Sequence, residues 1–315
     1  MLNIFKITLL SVLIFLGLNA HSSHLIGGNL AYEYLGQVGG NYQYKILYTI
    51  YVDCGPTSNA PNPFATEEIG VYTHDLQNSP MGGGDKTRIQ LVTVNLISTT
   101  LIEPDLPSGC SVGSSTCIRE GKYEGIFSVP LNFTGYHLYG DICCRNGAIN
   151  NLTNPVTQGT GFHAYIPPPL IENDSPVFTD VPIPFLCAGD TTSILNSAFD
   201  PDGDLMVFSF VEPFRGFGTQ GFYPGPPATL TWTLDPVVYA GTYSFTQPFG
   251  PSSYSSINAS TGLTQYMAPA TGNYVVAVEI KEYRNGNLIG VSRRDLQLLV
   301  INCPVNPPPN LDPQF

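Results

Sequence analysis

The chain contains little charge, and positive charge is especially scarce. Of its 315 residues, 12 are Lys or Arg and 24 are Asp or Glu, which gives a net charge of −12. Nucleic acids and anionic membranes bind basic patches, so this composition disfavours both as partners. An acidic surface attracts divalent cations instead. The charged fraction of 11% is also low for a helical protein, whose exposed faces are usually rich in Lys and Glu.

Motifs of the common enzyme classes are missing. The sequence contains no G-x-S-x-G, no H-E-x-x-H and no convincing glycine-rich phosphate loop. It has no C-x-x-C pair and five histidines, which argues against a zinc site. No window of about 12 residues shows a helical period, and the best candidate, residues 65–72, is short. We therefore predict a non-enzymatic protein with no catalytic residues.

One long apolar run is present, and it lies at the amino terminus. Lys6 precedes an apolar stretch from Ile7 to Leu18, and the small residue Ala20 follows. This pattern is typical of a secretory signal peptide, here residues 1–20, with an uncleaved anchor as the alternative. The run is shorter than the roughly 20 apolar residues of a membrane-spanning helix. We expect a secreted, extracellular or cell-surface protein with no membrane span after cleavage.

Turn residues and alternating apolar residues dominate the rest of the chain, which has 32 glycines and 28 prolines. Alternate residues from Tyr42 to Val52 are apolar, and Gly39-Gly40 precedes them, so residues 29–53 are predicted to form a hairpin. Residues 274–301 repeat the pattern around Asn285-Gly286. Asn-Gly is a strong hairpin signal because type I′ turns need positive φ at both central positions. The predicted fold class is all-β.

Prolines suggest where the chain divides. The triplet at 167–169 cannot lie in a central strand, and further prolines follow it. We predict two β-sandwich domains in tandem, at 21–170 and 171–303. Residues 304–315 are Pro-rich without apolar periodicity, which is typical of a linker or tail.

The seven cysteines of an exported chain predict stabilising disulfides, with one thiol left over. Bonding between adjacent cysteines is disfavoured because it closes a small ring. The expected bonds are Cys110–Cys117, Cys187–Cys303, and Cys54 with either Cys144 or Cys143.

Three carboxylates, Asp200, Asp202 and Asp204, alternate with Pro and Gly in the string DPDGD. This spacing brings oxygens to one side of a tight loop and suits Ca²⁺, which takes six to eight oxygen ligands. Asp190 or Glu212 could contribute from further away. The alternative is an Asx-type turn before a strand. A glycosidase would instead need two carboxylates that face each other across a cleft.

Several longer strings resemble a known family. In order, they are SHLIGGNLAYEYLG, YKILYTIYVDC, DICCRNGAINNLTNP, SAFDPDGDLMVFSFVEPF and VEIKEYRNGNLIGVSRRDLQLLVINC. Together they resemble the amino-terminal region of large secreted surface proteins of gliding Bacteroidetes. Such proteins continue into PKD or other Ig-like repeats and end in a type 9 secretion sorting domain.

The resemblance implies Ig-like or cadherin-like sandwiches and an adhesin-like role in gliding motility or surface attachment. The implied partners are surface glycans or proteins, together with further repeats of the chain's own longer form. In the second half, DPDGD and the segment 258–280 resemble cadherin-like or Ig-like modules.

A second functional hypothesis is a carbohydrate-binding or carbohydrate-active extracellular protein. Exposed aromatic side chains could form a platform on which sugar rings stack. Cross-strand aromatic packing accounts for the same residues more simply. The candidate platform residues are Tyr32, Tyr34, Tyr42, Tyr44, Tyr48, Phe214 and Phe217.

Overall fold

The computed structural model describes residues 25–55, 63–74, 85–102, 117–180, 185–218, 225–230 and 234–303. Within these ranges the regular structure consists of β-strands and one 3₁₀ turn, Pro155–Thr157, which confirms the all-β class. The predicted signal peptide, the predicted tail and Cys110 lie outside the described residues. In the described ranges, no helix has the length and apolar character needed to cross a membrane.

The first half of the chain contributes seven strands. Their bounds are β1 Leu25–Val38, β2 Asn41–Asp53, β3 Thr66–His74, β4 Lys86–Ile102, β5 Ile118–Val129, β6 Tyr136–Ile142 and β7 Thr160–Ile166.

The second half contributes ten strands, several of them short. They are β8 Val177–Phe178, β9 Phe185–Cys187, β10 Thr191–Leu195, β11 Ala198–Phe199, β12 Leu205–Val211, β13 Thr229–Leu230, β14 Tyr254–Ile257, β15 Leu263–Met267, β16 Gly272–Arg284 and β17 Asn287–Ile301.

The sheet of the first half closes on itself through the last strand. Its order is β1-β2-β5-β4-β3-β6-β7, with antiparallel neighbours throughout. Strand β17 then pairs with β7 at Val291 and with β1 at Leu296. The inward side chains of β1 to β7 fill the enclosed space with one apolar core. This core includes Leu30, Ile46 and Leu138, all fully buried.

The second half packs two sheets against each other. Strands β9, β17, β16 and β12 form one layer, in which β9 runs parallel to β17 and the other pairs are antiparallel. Strands β10, β15 and β14 form the facing layer. Ile194 and Tyr266 from the smaller sheet share a core with Val276 and Leu298 from the larger one.

The two halves share strand β17. It pairs with β16 and β9 in the second half, and with β1 and β7 in the first. The sheet therefore continues across the predicted boundary between residues 170 and 171. The boundary residues themselves follow β7 and lead into β8.

Both predicted hairpins are confirmed. Strands β1 and β2 join at Gly39-Gly40, and the alternate residues from Tyr42 to Val52 are buried in the core. Strands β16 and β17 join at Asn285-Gly286, where φ is 54° and 79° as a type I′ turn requires. Residues 66–72 of the weak helical candidate lie in β3 instead.

Candidate functional site

The acidic turn is organised by its first carboxylate. Asp200 Oδ1 accepts backbone N–H bonds from Asp202, Gly203 and Asp204, at 2.9, 2.9 and 3.2 Å. Gly203 has a φ of 78°, a conformation that glycine adopts without strain. This is the local hydrogen bonding of an Asx-type turn. Asp200 is buried, whereas Asp202 is exposed, so only part of the turn faces solvent.

Arg284 at the end of β16 neutralises the other two carboxylates. Its Nε donates to Asp204 Oδ1 at 2.8 Å and its Nη2 to Asp204 Oδ2 at 2.6 Å. The same Nη2 lies 3.1 Å from Asp202 Oδ2. These bonds, led by those to Asp204, raise the pKa of Arg284. A forked contact of this kind fixes geometry as well as charge.

Arg284 was not identified in the sequence analysis, because the feature that points to it is the pairing of two strands. The register between β12 and β16 pairs Leu205 with Tyr283, which puts Asp204 and Arg284 at adjoining ends of the two strands. That register becomes visible only once the two strands are known to be neighbours.

The segment 172–175 connects this turn to the first half. Arg284 Nη1 donates to the Glu172 carbonyl at 2.8 Å, and Nη2 donates to Asn173 Oδ1 at 2.9 Å. The backbone N–H of Asp174 donates to Asp202 Oδ2 at 2.8 Å. The linking segment is therefore held by both the acidic turn and its arginine.

The same segment also bonds to β1. Tyr32 N–H donates to Ser175 Oγ at 2.7 Å, and Ser175 N–H donates to the Tyr32 carbonyl at 3.0 Å. Tyr34 N–H donates to Asp174 Oδ1 at 2.5 Å. Residues 172–175, the turn 200–204 and Arg284 thus form a polar cluster between the two halves. We call this cluster the junction.

A buried carboxyl group, Glu282, completes the junction. Its Oε1 accepts from Asn173 Nδ2 at 3.2 Å, and the same amide nitrogen lies 3.0 Å from the Tyr32 hydroxyl. Burial raises the pKa of Glu282 to about 9; the Asn173 bond opposes this rise and the negative charge of Asp200 adds to it. Its side chain fills the space beside Gly290, where a Cβ would overlap Glu282 Oε2.

Two buried oxygens at the junction have no hydrogen-bond partner when both carboxyl groups are ionised. They are Glu282 Oε2 and Asp200 Oδ2. A buried polar atom without a hydrogen-bond partner destabilises the folded state. A proton shared between the two carboxyl groups, or a cation, would stabilise these oxygens. A proton on Glu282, in keeping with its raised pKa, would bond to Asp200.

The turn brings together three potential ligands of a hard cation. One oxygen from each of Asp200, Asp202 and Asp204 lies within 4.8 Å of the others. Carboxylate oxygens are the ligands that Ca²⁺ prefers. Arg284 competes for the same charge, since it occupies both oxygens of Asp204. Among the described residues, Asp190 and Glu212, suggested as remote ligands, do not belong to this group.

The disulfides differ in part from the predicted set. Cys187–Cys303 is confirmed, and it ties β9 to the end of β17. The expected Cys110–Cys117 bond is wrong, because Cys117 bonds to Cys54. Strands β2 and β5 are neighbours that pair Asp53 with Ile118, which brings these two cysteines side by side.

The third disulfide is also a correction. Cys143 and Cys144 bond to each other across a cis peptide, so neither bonds to Cys54. The prediction that adjacent cysteines would not bond to each other was wrong. Cys144 is buried in the turn that follows β6.

The proposed aromatic platform is inside the protein. Tyr32, Tyr42, Tyr44 and Tyr48 belong to the core of the first half, and Tyr34 packs against it. Phe214 and Phe217 are half-buried and pack in another cluster. These side chains pack against one another across strands, as in the tilted pair of Tyr48 and Tyr123. They present no row of rings to a sugar.

Comparisons with protein-family models, curated proteins and solved structures find no match for this chain.

Proposed function

We propose that this protein is a non-enzymatic, secreted cell-surface module of an adhesin-like protein, which holds and spaces a contact surface outside the cell. The observation that carries the proposal is the junction, where Arg284 bonds simultaneously to the acidic turn and to the segment 172–175. Together with the shared strand β17, it fixes the two halves in one orientation. A fixed orientation is what a spacer that bears load requires.

Disulfides support an extracellular setting. Cys54–Cys117 and Cys187–Cys303 close loops of 63 and 116 residues, and such bonds persist in oxidising compartments. The resemblance to secreted surface proteins of gliding Bacteroidetes agrees with this setting and implies a role in motility or attachment.

The chemistry of the acidic turn supports a non-enzymatic role. Asp200 Oδ1 is saturated by three backbone N–H groups, and Asp204 is bound by Arg284. All three aspartates lie on one turn, whereas the two catalytic carboxyl groups of a glycosidase flank the scissile bond. Asp200 holds the backbone of the turn, and Arg284 balances the charge of Asp204.

The second half supports an immunoglobulin-like or cadherin-like topology as part of the proposal. Its layers are β9-β17-β16-β12 and β10-β15-β14, which match two packed sheets with a first strand parallel to the last. A module of this kind is commonly repeated along surface proteins.

We further propose that the junction takes Ca²⁺. Asp200 and Asp202 would hold the ion. Asp204 would contribute to the extent that it is released by Arg284. The ion would supply positive charge to buried oxygens that otherwise need a proton, and it would stabilise the folded state by mass action.

Surface display is tested on cells that make the protein. Antibody or added protease should reach the chain on intact cells, and deletion of its gene should lower attachment to a surface. Restoring the gene should restore attachment. A chain found only inside cells, or a deletion without effect on attachment, would contradict the proposal.

One observation favours the carbohydrate-binding alternative. A cleft of about 190 Å³ lies between residues 177–180 and the outer face of β2 and β5. Its lining includes Asn29, Glu120, Lys122 and Asp180, which can hydrogen-bond to hydroxyl groups. A glycan array checks this alternative, and Asp180→Ala should abolish any signal that the cleft produces.

A further inference from the structure

Three loops with exposed apolar side chains meet at one end of the first half. They are the β1–β2 turn at residues 39–40 with the strand ends that flank it, together residues 35–41, then residues 130–135 between β5 and β6, and residues 167–171 after β7. We call them together the loop tip. Their exposed apolar side chains, with exposed fractions, are Leu35 37%, Val38 59%, Leu131 41%, Phe133 69% and Leu170 62%.

Strand pairing places the three loops side by side. Tyr42, just after the first loop, pairs with Val129, just before the second. Tyr136, just after the second loop, pairs with Ile166, just before the third. The second and third loops also touch, because the backbone of Gly135 lies against the Ile166 carbonyl and Pro167.

The second loop is held with its phenylalanine outside. Asn132 Nδ2 donates to Thr73 Oγ1 at 2.6 Å, and Asn132 Oδ1 accepts from Thr134 N–H at 2.8 Å. The Tyr136 hydroxyl donates to the Pro130 carbonyl at 2.6 Å. These bonds hold the backbone on both sides of Phe133. The ring therefore cannot turn into the core without breaking them.

The loop tip contains no charged residue. The strings LGQVGGN, PLNFTG and PPPLI hold no Asp, Glu, Lys or Arg. Four of these residues, Pro130 and the triplet 167–169, also lack a backbone N–H. Insertion below the lipid headgroups penalises charged side chains and unpaired backbone N–H groups. The tip has no charged side chain, and its four prolines have no N–H group.

We propose that the loop tip inserts into the interface of an electrically neutral lipid surface. A protein-binding patch would normally include Tyr, Trp or Arg anchors with a polar rim. The exposed apolar side chains here are aliphatic, with one phenylalanine, and the exposed Glu172 lies just beyond the third loop. The net charge of −12 disfavours anionic lipids. The proposal rests on the extracellular placement proposed above and names the partner surface.

Vesicle sedimentation with the protein that begins at residue 21, after the predicted signal peptide, tests this inference. The protein should sediment with phosphatidylcholine vesicles and bind less to a phosphatidylcholine–phosphatidylserine mixture. Phe133→Asp should lower binding to phosphatidylcholine about tenfold, since a buried aromatic ring contributes at least that factor. Leu205→Asp is the matched control, because Leu205 is equally exposed at 65% but lies in the second half. It should bind like the unchanged chain.

Equal binding by the Phe133→Asp and Leu205→Asp variants, or no binding by the unchanged chain, would overturn the inference. So would a concentration-dependent dimer that Phe133→Asp abolishes, since the tip would then cover a second copy. Unchanged melting curves for both variants show that folding is intact. Surface display on cells is measured separately, so loss of vesicle binding leaves the proposed spacer role standing.

Discussion

Arg145 donates to both carboxylate oxygens of Asp295, at 3.0 and 2.6 Å, and both side chains are buried. The arginine also donates to the carbonyls of Gly159 and Phe214, at 2.9 and 3.1 Å. It therefore ties the turns after β6 and β12 to strand β17. Four of the five N–H groups of the guanidinium donate to these partners.

Removing one member of this pair should destabilise the fold strongly. Asp295→Asn leaves a buried guanidinium without its counter-charge, which costs on the order of 3–5 kcal/mol. Urea unfolding measures the change. Glu33→Gln is the control, because Glu33 pairs with Lys45 at the surface and should cost less than about 1 kcal/mol. Equal effects of the two substitutions would contradict the assigned role.

Loss of Arg284 should loosen the junction. Arg284→Met leaves the carboxylates of Asp202 and Asp204 close together without a cation, and we expect a loss of about 1–2 kcal/mol for this partly exposed group. Hydrogen exchange should speed up at the amides of Tyr32 and Tyr34, which bond to residues 174 and 175. The exposed Arg215, changed to Met, should alter neither measurement.

Chelation should lower the melting temperature if Ca²⁺ occupies the junction. Added Ca²⁺ should restore it, and Asp202→Asn should abolish the response, because one oxygen ligand is lost. Asp190→Asn is the matched control, since Asp190 is exposed and lies outside the aspartate group. A melting curve that does not change with excess chelator would contradict Ca²⁺ binding at the junction.

The disulfides should contribute unequally to stability. The chain-entropy argument gives about 4 kcal/mol for Cys54–Cys117 and about 5 kcal/mol for Cys187–Cys303, whose loops span 63 and 116 residues. A bond between adjacent cysteines restrains almost nothing in the unfolded chain. Replacing each pair by alanines and measuring unfolding should therefore leave the Cys143–Cys144 variant most stable. The opposite ranking would refute the entropic account.

Stability should fall as the pH rises from about 4 to about 9, because Glu67, Asp141 and Glu282 all have raised pKa values, that of Glu282 being about 9. Burial raises the pKa of Glu67 to about 7, with Asp141 adding, and burial raises that of Asp141 to about 6 against its bonds from two backbone N–H groups. A raised pKa means that the folded state holds the proton more tightly, so stability is greatest below the unfolded-state value of about 4. Melting curves across this range measure the effect.

Glu67→Gln isolates one of the three groups, because glutamine cannot ionise. Its stability should depend less on pH between about 4 and 7 than that of the unchanged chain. Glu124→Gln, on the outer face of β5, should leave the pH dependence as it was.

Local patterns predicted what lies close together in sequence. The alternating residues from Tyr42 to Val52 and the turn at Asn285-Gly286 define the two long hairpins. The DPDGD string predicts an Asx-type turn, and the structure has one, in which Gly203 N–H donates to Asp200 Oδ1. These features depend on side-chain period and backbone φ, which a single sequence displays directly.

Contacts between distant segments were not predictable in the same way. In the pairing of β17 with β1, Leu296 lies opposite Gly27. Neither strand has a sequence pattern that identifies the other as its neighbour. Arg284 and the Cys54–Cys117 bond depend on which strands become neighbours. That choice is made by the packing of whole sheets rather than by local preference.

Strand β17 has a consequence for the order of folding. Residues 287–301 complete the sheet begun at residue 25, so the first half lacks its closing strand until nearly the whole described chain is available. The earlier strands keep unpaired edges until then, and exposed edges of this kind favour aggregation during folding. Closure of the first half therefore coincides with completion of the larger sheet of the second half.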